Sequence, residues 1–414
     1  MNKRIYVVGD VMLDTYWSGV STRISPESPV PVVDDVQIEN RLGGAGNVCQ
    51  SLKVFTDDVV LFSVVGLDRE GGLVAQLLAE NDIANDLSLG PESKTVTKTR
   101  ILSNDQQLCR LDSGYVKDAP PSFGESPDVV IISDYGKGTI TPEVIDNIIY
   151  DNDCPILVDP KGTNWEKYSG VYAITPNRKE FEDAYGELTF ETATDVIEEL
   201  DLQGILITLG ANGMWWIGRD GTSIIRPVPE IDQVRDVTGA GDTVIATFGL
   251  FLDRGITVAM DFANRAAGNV VTKLGTSTPD KEAVVETVVF TNGCFDIIHS
   301  GHIALLNQAS SFGDRLVVGL NSDASMTRIK RKPVNSQEER KKVLEAITGV
   351  DNVIIFETNT PYDLIKSLEP DIIVKGGDYT IDQVVGNDLA EVKIIDTIKG
   401  KSTSETIERA KYVR

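Results

Sequence analysis

The sequence predicts an α/β protein of two domains, each built on a parallel sheet flanked by helices, and three observations carry that expectation. Short apolar runs recur along the chain and end at Asp, Thr or Gly, as in Val129-Val130-Ile131-Ile132, Ile156-Leu157-Val158 and Ile205-Leu206-Ile207. Such runs, alternating with longer helical stretches, mark strands buried on both faces of a helix-covered sheet. A length of 414 residues exceeds the size at which one hydrophobic core keeps growing, and 41% hydrophobic content is ample for two. Finally, a strand, loop and helix pattern starts afresh at Val288-Val289-Phe290, after Thr276-Ser277-Thr278-Pro279-Asp280. The expected domains are 1–285 and 286–414, abutting across a short join.

Taken in order, Ile5-Tyr6-Val7-Val8-Gly9-Asp10 reads as a first buried strand, its apolar run far too short for a signal-peptide core or a membrane span. Residues 18–41 contain the run Ser25-Pro26-Glu27-Ser28-Pro29-Val30-Pro31-Val32-Val33. Proline donates no backbone hydrogen bond, so this segment is expected at a sheet edge or in a lid. A second alternating segment, 95–112, is its candidate partner. Ligands of parallel sheets gather at the carboxyl ends of strands, which points to Asp134, Asp159, Thr175 and Thr208.

Charge narrows the partners. With 39 basic against 63 acidic residues the net charge is −24, which repels nucleic-acid phosphates and anionic lipid at long range. Small-molecule substrates are expected, with no nucleic acid and no membrane. A protein this acidic that handles phosphates must place its few cations locally and recruit a divalent metal, here taken as Mg²⁺. Cys49, Cys109, Cys154 and Cys294 are widely spaced and form no C-x-x-C pair, so neither a zinc site nor a disulfide framework is expected, and a cytoplasmic location fits.

Chemistry first surfaces at Asp236-Val237-Thr238-Gly239-Ala240-Gly241-Asp242-Thr243, which precedes the apolar stretch 244–252. Small residues before a helix leave backbone N–H groups free to face an anion. An acid is an odd choice for holding phosphate, but Asp242 makes sense as the base that takes a proton from a sugar hydroxyl. The competing reading is a helix cap. This segment resembles the signature of the ribokinase-like carbohydrate kinases, and four further pieces stand in that family's order. They are Gly9-Asp10-Val11-Met12-Leu13-Asp14, Leu42-Gly43-Gly44-Ala45-Gly46-Asn47, Thr175-Pro176-Asn177-Arg178-Lys179-Glu180 and Thr208-Leu209-Gly210-Ala211-Asn212-Gly213.

The resemblance implies a ribokinase-like sheet with a β lid and a non-P-loop ATP site. Asp14, Gly43, Gly44 and Asn47 would line the sugar pocket. Asn177, Arg178, Lys179, Thr208, Gly210, Gly239, Ala240 and Gly241 would bind nucleotide, with Glu180 holding Mg²⁺ through water and room for a monovalent cation. Asn177 with Glu180 also reads as a capping box. Asp134, Lys137 and Lys161, in turns after buried strands, are assigned to the substrate cleft. Gly400-Lys401-Ser402 has the tail of a Walker A motif, but Ile395 stands where its leading glycine is needed.

Both histidines of the chain sit in Thr291-Asn292-Gly293-Cys294-Phe295-Asp296-Ile297-Ile298-His299-Ser300-Gly301-His302. Imidazoles at this spacing, after a strand and entering a helix, suit donation to the phosphates of a nucleotide during in-line displacement. Histidine pairs also bind zinc, but no H-E-x-x-H pattern or cysteine pair accompanies them. The stretch resembles the H-x-G-H nucleotidylyltransferase superfamily, whose members transfer a nucleotidyl group and release pyrophosphate from a smaller Rossmann-like domain. That implies catalytic roles for His299 and His302. Nucleotide contacts would come from Asn292, Gly293, Phe295, Gly301, Lys330, Lys332, Ser402, Thr403 and Ser404, and acceptor contacts from Asp296, Lys375 and Asp378. The basic cluster Arg328, Lys330, Arg331 and Lys332 reads either as a solvated loop or, in so acidic a chain, as a phosphate clamp. Residues 402–404 also suit a helix cap.

Together with Ser21-Thr22-Arg23-Ile24-Ser25-Pro26-Glu27 and Gln106-Gln107-Leu108-Cys109-Arg110-Leu111-Asp112, which adds Arg110 to the substrate contacts, these motifs resemble the family of bifunctional heptose 7-phosphate kinases and heptose 1-phosphate adenylyltransferases. The resemblance implies synthesis of ADP-heptose for lipopolysaccharide or other surface glycans, by a homo-oligomer. Two departures stand out: only about ten residues separate Thr278 from Val288, where the family carries a longer helical connector, and the basic loop before Pro333 is short. Rival expectations are a kinase and nucleotidylyltransferase for another sugar or polyol phosphate, and a sugar-sensing protein with decayed sites.

Overall fold

The computed structural model describes residues 3–104, 106–122, 126–229, 231, 233–377 and 379–395. The chain divides into two compact units, Met1–Val284 and Val285–Arg414.

In the first unit the strands are β1 (Ile5–Gly9), β2 (Val11–Ile24), β3 (Pro31–Gly44), β4 (Val59–Gly66), β5 (Ala84–Gly90), β6 (Lys94–Ser103) and β7 (Gln106–Tyr115). They continue with β8 (Val129–Ser133), β9 (Ile156–Asp159), β10 (Ala173–Ile174), β11 (Gly204–Thr208), β12 (Met214–Gly218) and β13 (Ser223–Arg226). Its helices are α1 (Ala45–Lys53), α2 (Arg69–Glu80), α3 (Pro142–Asp151), α4 (Arg178–Tyr185), α5 (Phe190–Glu199), α6 (Ala240–Phe251), α7 (Ile256–Val270) and the single turn α8 (Lys281–Val284).

Nine strands form one sheet in the order β13-β12-β11-β10-β9-β8-β1-β4-β5. It is parallel from β11 to β5, and β12 and β13 extend it antiparallel. The three apolar runs that the sequence marks as strands are β8, β9 and β11, and their aliphatic side chains are buried. Helix α6 is buried from Asp242 to Phe251 and packs on α1, α7 and the sheet, which explains why 244–252 is apolar all round.

The remaining four strands make a second sheet in the order β3-β2-β6-β7. The proline-rich run forms the turn into β3, which starts at Pro31 and lies at the sheet's edge, where a missing N–H does least harm. Segment 95–112 splits between β6 and β7. Its pairing partner is β2, in parallel from Met12 opposite Val96 to Gly19 opposite Ser103, and the proline-bearing strand β3 takes the other edge of β2.

The second unit is a five-stranded parallel sheet in the order β16-β15-β14-β17-β18. Its strands are β14 (Val288–Gly293), β15 (Arg315–Asn321), β16 (Asn352–Phe356), β17 (Ile372–Gly376) and β18 (Glu391–Ile395). Helices α9 (Ser300–Ser310), α10 (Asp323–Ile329), α11 (Gln337–Glu345) and α12 (Tyr362–Leu368) complete it. Successive residues of β14 feed opposite cores, Val289 with Leu306 and Leu344 on one face, Phe290 with Ile365 and Ile373 on the other. Strand order reverses at β14, so a crevice opens at its carboxyl end, the place where such sheets bind ligands.

Candidate active sites

In the first unit Gly239, at φ 80°, stands at the cap of α6, and Asp242 follows in its first turn. A Cβ on Gly239 would lie 2.6 Å from Asn47 Nδ2, so a larger residue would push Asn47 away from the carboxylate it serves. The cap reading of Asp242 therefore gives way: its carboxylate is turned inward, with Asn47 Nδ2 donating to Oδ2 at 2.9 Å and the Tyr135 hydroxyl donating to Oδ1 at 2.8 Å. Burial pushes its carboxyl up to about 6, against the pull of those two donors and of Lys98. A carboxyl poised there is ionised at neutral pH yet basic enough to accept a hydroxyl proton.

Asp14, from β2, is buried and its carboxylate pairs with Arg100, Oδ1 lying 3.1 Å from Nη1. Burial pushes the Asp14 carboxyl up although Arg100 opposes it. A carboxylate and a guanidinium each have acceptor or donor sites beyond their mutual contact, which a polyhydroxylated ligand can satisfy. Gly43 keeps that space open, since a Cβ there would meet Asp14 Oδ2 at 2.7 Å. Arg110 lies opposite Arg100 on β7, exposed and paired with Asp112.

Beside Asp242 is a small cavity lined by Asp134, Asp159, Lys161, Asn177, Glu180 and Asp242. Asn177 and Glu180 do form the capping box of α4, and Lys161 reaches Glu180 Oε1 at 2.8 Å. Burial and the nearby carboxylates of Asp242 and Glu180 push the Asp159 carboxyl well up. Thr208 and Gly241 border both this cavity and a larger apolar one, about 560 Å³, lined also by Gly210, Ala240 and Val244.

Four assignments need correction. Arg178 and Lys179 are exposed, Arg178 is paired with Glu182, and neither lines these cavities, because only the cap and third positions of the α4 turn face the cleft. Asp134 borders the cavity but its carboxylate is committed inward, to Lys167 at 2.5 Å, Tyr168 at 2.8 Å and the Gly136 amide. Lys137 contributes its backbone amide to Asp10. That buried Asp10 also accepts from the amides of Tyr135 and Thr139, so it shapes the whole turn; in the sequence it stands in the Gly9-Asp10 piece of the first motif, a charge at the end of an apolar strand.

In the second unit His299 caps α9 and His302 follows one turn later, so the rings stack with centroids 3.8 Å apart, with Phe295 5.1 Å from His302. Burial, His299 and Lys330 push His302 down to about 4, so it is a neutral imidazole at physiological pH, and its buried Nδ1 has no hydrogen-bond partner among the described residues. Lys375 donates to Asn292 Oδ1 at 2.6 Å, and burial with Lys330 lowers its ammonium to about 8. Gly293 and Phe295 shape the loop, Phe295 at φ 42°, and Gly301 lies in the first turn of α9.

Asp296 is also corrected: it accepts from the amides of Val334 and Asn335 and pairs with Arg331 at 2.8 Å, so it anchors the basic loop. Burial would raise its carboxyl, but those donors hold it below its usual value. The basic cluster divides accordingly. Arg331 serves Asp296, Arg328 binds Asn359 and the Glu357 carbonyl, and the ammonium groups of Lys330 and Lys332 have neither a hydrogen bond nor an ion pair among the described residues. Arg340, which sequence reasoning missed, is buried and donates to the carbonyls of Cys294, Asn321 and Asn335 and to Asp323. Asp378, Ser402, Thr403 and Ser404 lie outside the described residues.

Residues 2–283 match the family model described as pfkB family carbohydrate kinase, and residues 290–408 match the one described as cytidylyltransferase-like. The bifunctional protein HldE of a Nitratiruptor species is 40% identical, across 99% of this chain and 99% of its own. The chain belongs to the bifunctional HldE family. The alignment runs over 463 positions against 414 residues here, so that relative carries residues this chain lacks. Arabidopsis thaliana ribokinase, solved with ribose and ATP, superposes with a TM-score of 0.53 at 19% identity, covering 68% of this chain and 98% of that one. Escherichia coli phosphofructokinase-2, solved with potassium, gives 0.55 at 16%, covering 68% and 97%. These likenesses establish a ribokinase-like fold for the first unit. The protein is an enzyme that joins a carbohydrate kinase domain to a nucleotidylyltransferase domain. Among the described residues no helix is long and apolar enough to cross a membrane.

Proposed function

We propose that the first unit phosphorylates D-glycero-β-D-manno-heptose 7-phosphate at its anomeric oxygen, and that the second converts heptose 1-phosphate and ATP to ADP-heptose and pyrophosphate. The observation that carries this reading is the Asp242 carboxylate, held between Asn47 and Tyr135 at the wall of a small polar cavity that adjoins the larger apolar one through Thr208 and Gly241. Asp242 takes the proton of the anomeric hydroxyl as its oxygen bonds to the γ-phosphorus of ATP. The bond to the β-phosphate oxygen breaks, and ADP leaves. The small residues Gly239, Ala240 and Gly241 let backbone N–H groups at the head of α6 face the transferring phosphoryl. The apolar cavity beside them suits the nucleoside.

The Glu180 carboxylate, an oxygen donor at the edge of the small cavity, suits a hydrated hard divalent cation. Glu180 would hold Mg²⁺ through water, and the ion supplies neutralisation of phosphate charge. A monovalent cation belongs to the same reading, supported by the potassium in the phosphofructokinase-2 structure. In the second unit a phosphate oxygen of heptose 1-phosphate attacks the α-phosphorus of ATP and pyrophosphate leaves. His299 and His302 donate to the nucleotide phosphates, while Lys330, Lys332 and Lys375 offset their charge. A cytoplasmic homo-oligomer completes the proposal, supported by exposed apolar Trp17, Ile24 and Ile38 in the second sheet.

The test is to supply ATP and Mg²⁺ with heptose 7-phosphate, and separately with heptose 1-phosphate, and to detect products by mass spectrometry. Heptose 1,7-bisphosphate and ADP-heptose are expected. Turnover of another sugar or polyol phosphate in preference to both would replace the substrate assignment.

A further inference from the structure

The proposed base has a neighbour whose place in the fold goes beyond lining the cleft. Tyr135 lies in the turn after β8, and Asp10 fixes that turn by accepting its backbone N–H at 2.9 Å. From there the phenol reaches Asp242 Oδ1, while Asn47, on α1, reaches Oδ2. Each carboxylate oxygen thus has one donor, from a different element, and a carboxylate gripped at both oxygens cannot rotate about its terminal torsion. The tyrosine is itself held. Lys98, on β6 of the second sheet, sets its ammonium 4.6 Å from the centre of the Tyr135 ring, a cation–π distance. Gly44 also lies close by, where a Cβ would come 3.4 Å from Tyr135 Cε2.

We infer that Tyr135 is a positioning residue for the proposed kinase base, orienting the Asp242 carboxylate through its hydroxyl, and that Lys98, laid over its ring, holds Tyr135 in place. The inference rests on Asp242 being the base, and it adds a second role, because the two residues also set when that base is ionised.

Besides Asn47, four titratable groups act on Asp242 from the surrounding elements: Asp14 from β2, Lys98 from β6, Tyr135 from the turn after β8 and Asp159 from the end of β9. Asp14 and Asp159 disfavour its charge. Lys98 and the Tyr135 hydroxyl favour it, by field and by hydrogen bond. The phenol does not compete for the proton, since burial and the carboxylates of Asp242 and Asp159 push it well above its usual value. It is a donor at every working pH. Lys98 loses solvation in this position: burial lowers its ammonium, and Asp14 and Asp242 pull it back.

Tyr135→Phe removes the hydroxyl and keeps the ring under Lys98. The expected result is a fall in kcat for sugar phosphorylation of about tenfold, the scale of one hydrogen bond to a charged group. The acid limb of the kcat/KM profile should move up by about one pH unit, because the ionised form of Asp242 has lost a donor. Nucleotidyl transfer should not change. Lys98→Met should move the limb the same way, and Lys98→Arg should restore it. A ring that only fills space predicts the wild-type rate and profile for Tyr135→Phe, and that result would overturn the inference.

A readout that needs no sugar keeps this separate from the substrate assignment. Carbon-13 titration of the Asp242 carboxyl, identified by its loss in Asp242→Asn, should show a higher midpoint in ligand-free Tyr135→Phe than in wild type. An unchanged midpoint overturns the inference whatever the sugar proves to be. If wild type phosphorylates no heptose 7-phosphate but the midpoint shifts, the substrate reading fails and the positioning role stands.

Discussion

Asp242 shows how a single side chain ties catalysis to stability. Its folded carboxyl is raised to about 6 from 3.8, so the folded state binds the proton more tightly than the unfolded one. Its contribution to stability is therefore favourable at low pH and is lost as pH rises toward and through 6. Asp242→Asn removes that penalty and keeps both contacts, with Asn47 donating to the amide oxygen and the amide N–H donating to a reoriented Tyr135. The variant should gain about 3 kcal/mol at pH 7, seen as a higher midpoint in urea. Sugar phosphorylation should fall 10²- to 10⁴-fold, with nucleotidyl transfer intact, because an amide accepts no proton. Equal stability with full kinase activity would remove Asp242 from both roles. His302 moves the opposite way: lowered to about 4, it stays neutral through the physiological range. Nucleotidyl transfer should then show no His302 titration above about pH 5, and His302→Ala should lower it roughly 10²- to 10³-fold.

At the scale of elements, Arg340 on α11 joins three pieces that the chain delivers separately: the loop after β14 through Cys294, the end of β15 through Asn321, and the basic loop through Asn335. Its planar fork of donors suits several carbonyls at once. Arg340→Met leaves those carbonyls without their donor, and the second unit should lose about 3 kcal/mol, measured by chemical denaturation. Nucleotidyl transfer should weaken while the kinase is spared. A variant as stable as wild type would show that water replaces the guanidinium. The β lid teaches a complementary lesson. Its proline run was legible as an edge, since a missing N–H is a local property, whereas the pairing of β6 with β2 was not, because register depends on which edge of β2 remains open after β3 has docked.

For the whole molecule, the proposed boundary follows where the last turn of the first unit is buried. Val284, on α8, is fully buried and α8 packs on α7. A cut after Asp280 would expose that side chain, at about 1.5–3 kcal/mol, whereas a cut after Val284 keeps it. Residues 1–284 should therefore phosphorylate sugar as well as the full chain does and melt higher than residues 1–280, and residues 285–414 should retain nucleotidyl transfer. Fragments that fold but act only when mixed would show that the activities are not separable.

What the sequence by itself determined is local: buried parallel strands from their apolar runs, a second fold from the restart at Val288, and both chemistries from residues that stand close together in the chain, Gly239 to Asp242 and His299 to His302. Spacing along one turn of helix or one loop survives folding, so such motifs can be read directly. The tertiary structure alone decided which charges serve architecture and which face ligand. Asp134, Asp296, Arg328 and Arg331 look like site residues in the sequence and are committed to internal partners, while Lys98, Tyr135 and Arg340 are not singled out in the sequence and make contacts with distant segments. The partners of each lie up to a hundred or more residues away, and desolvation, which raises Asp242 and lowers His302, exists only once those distant segments have closed around them.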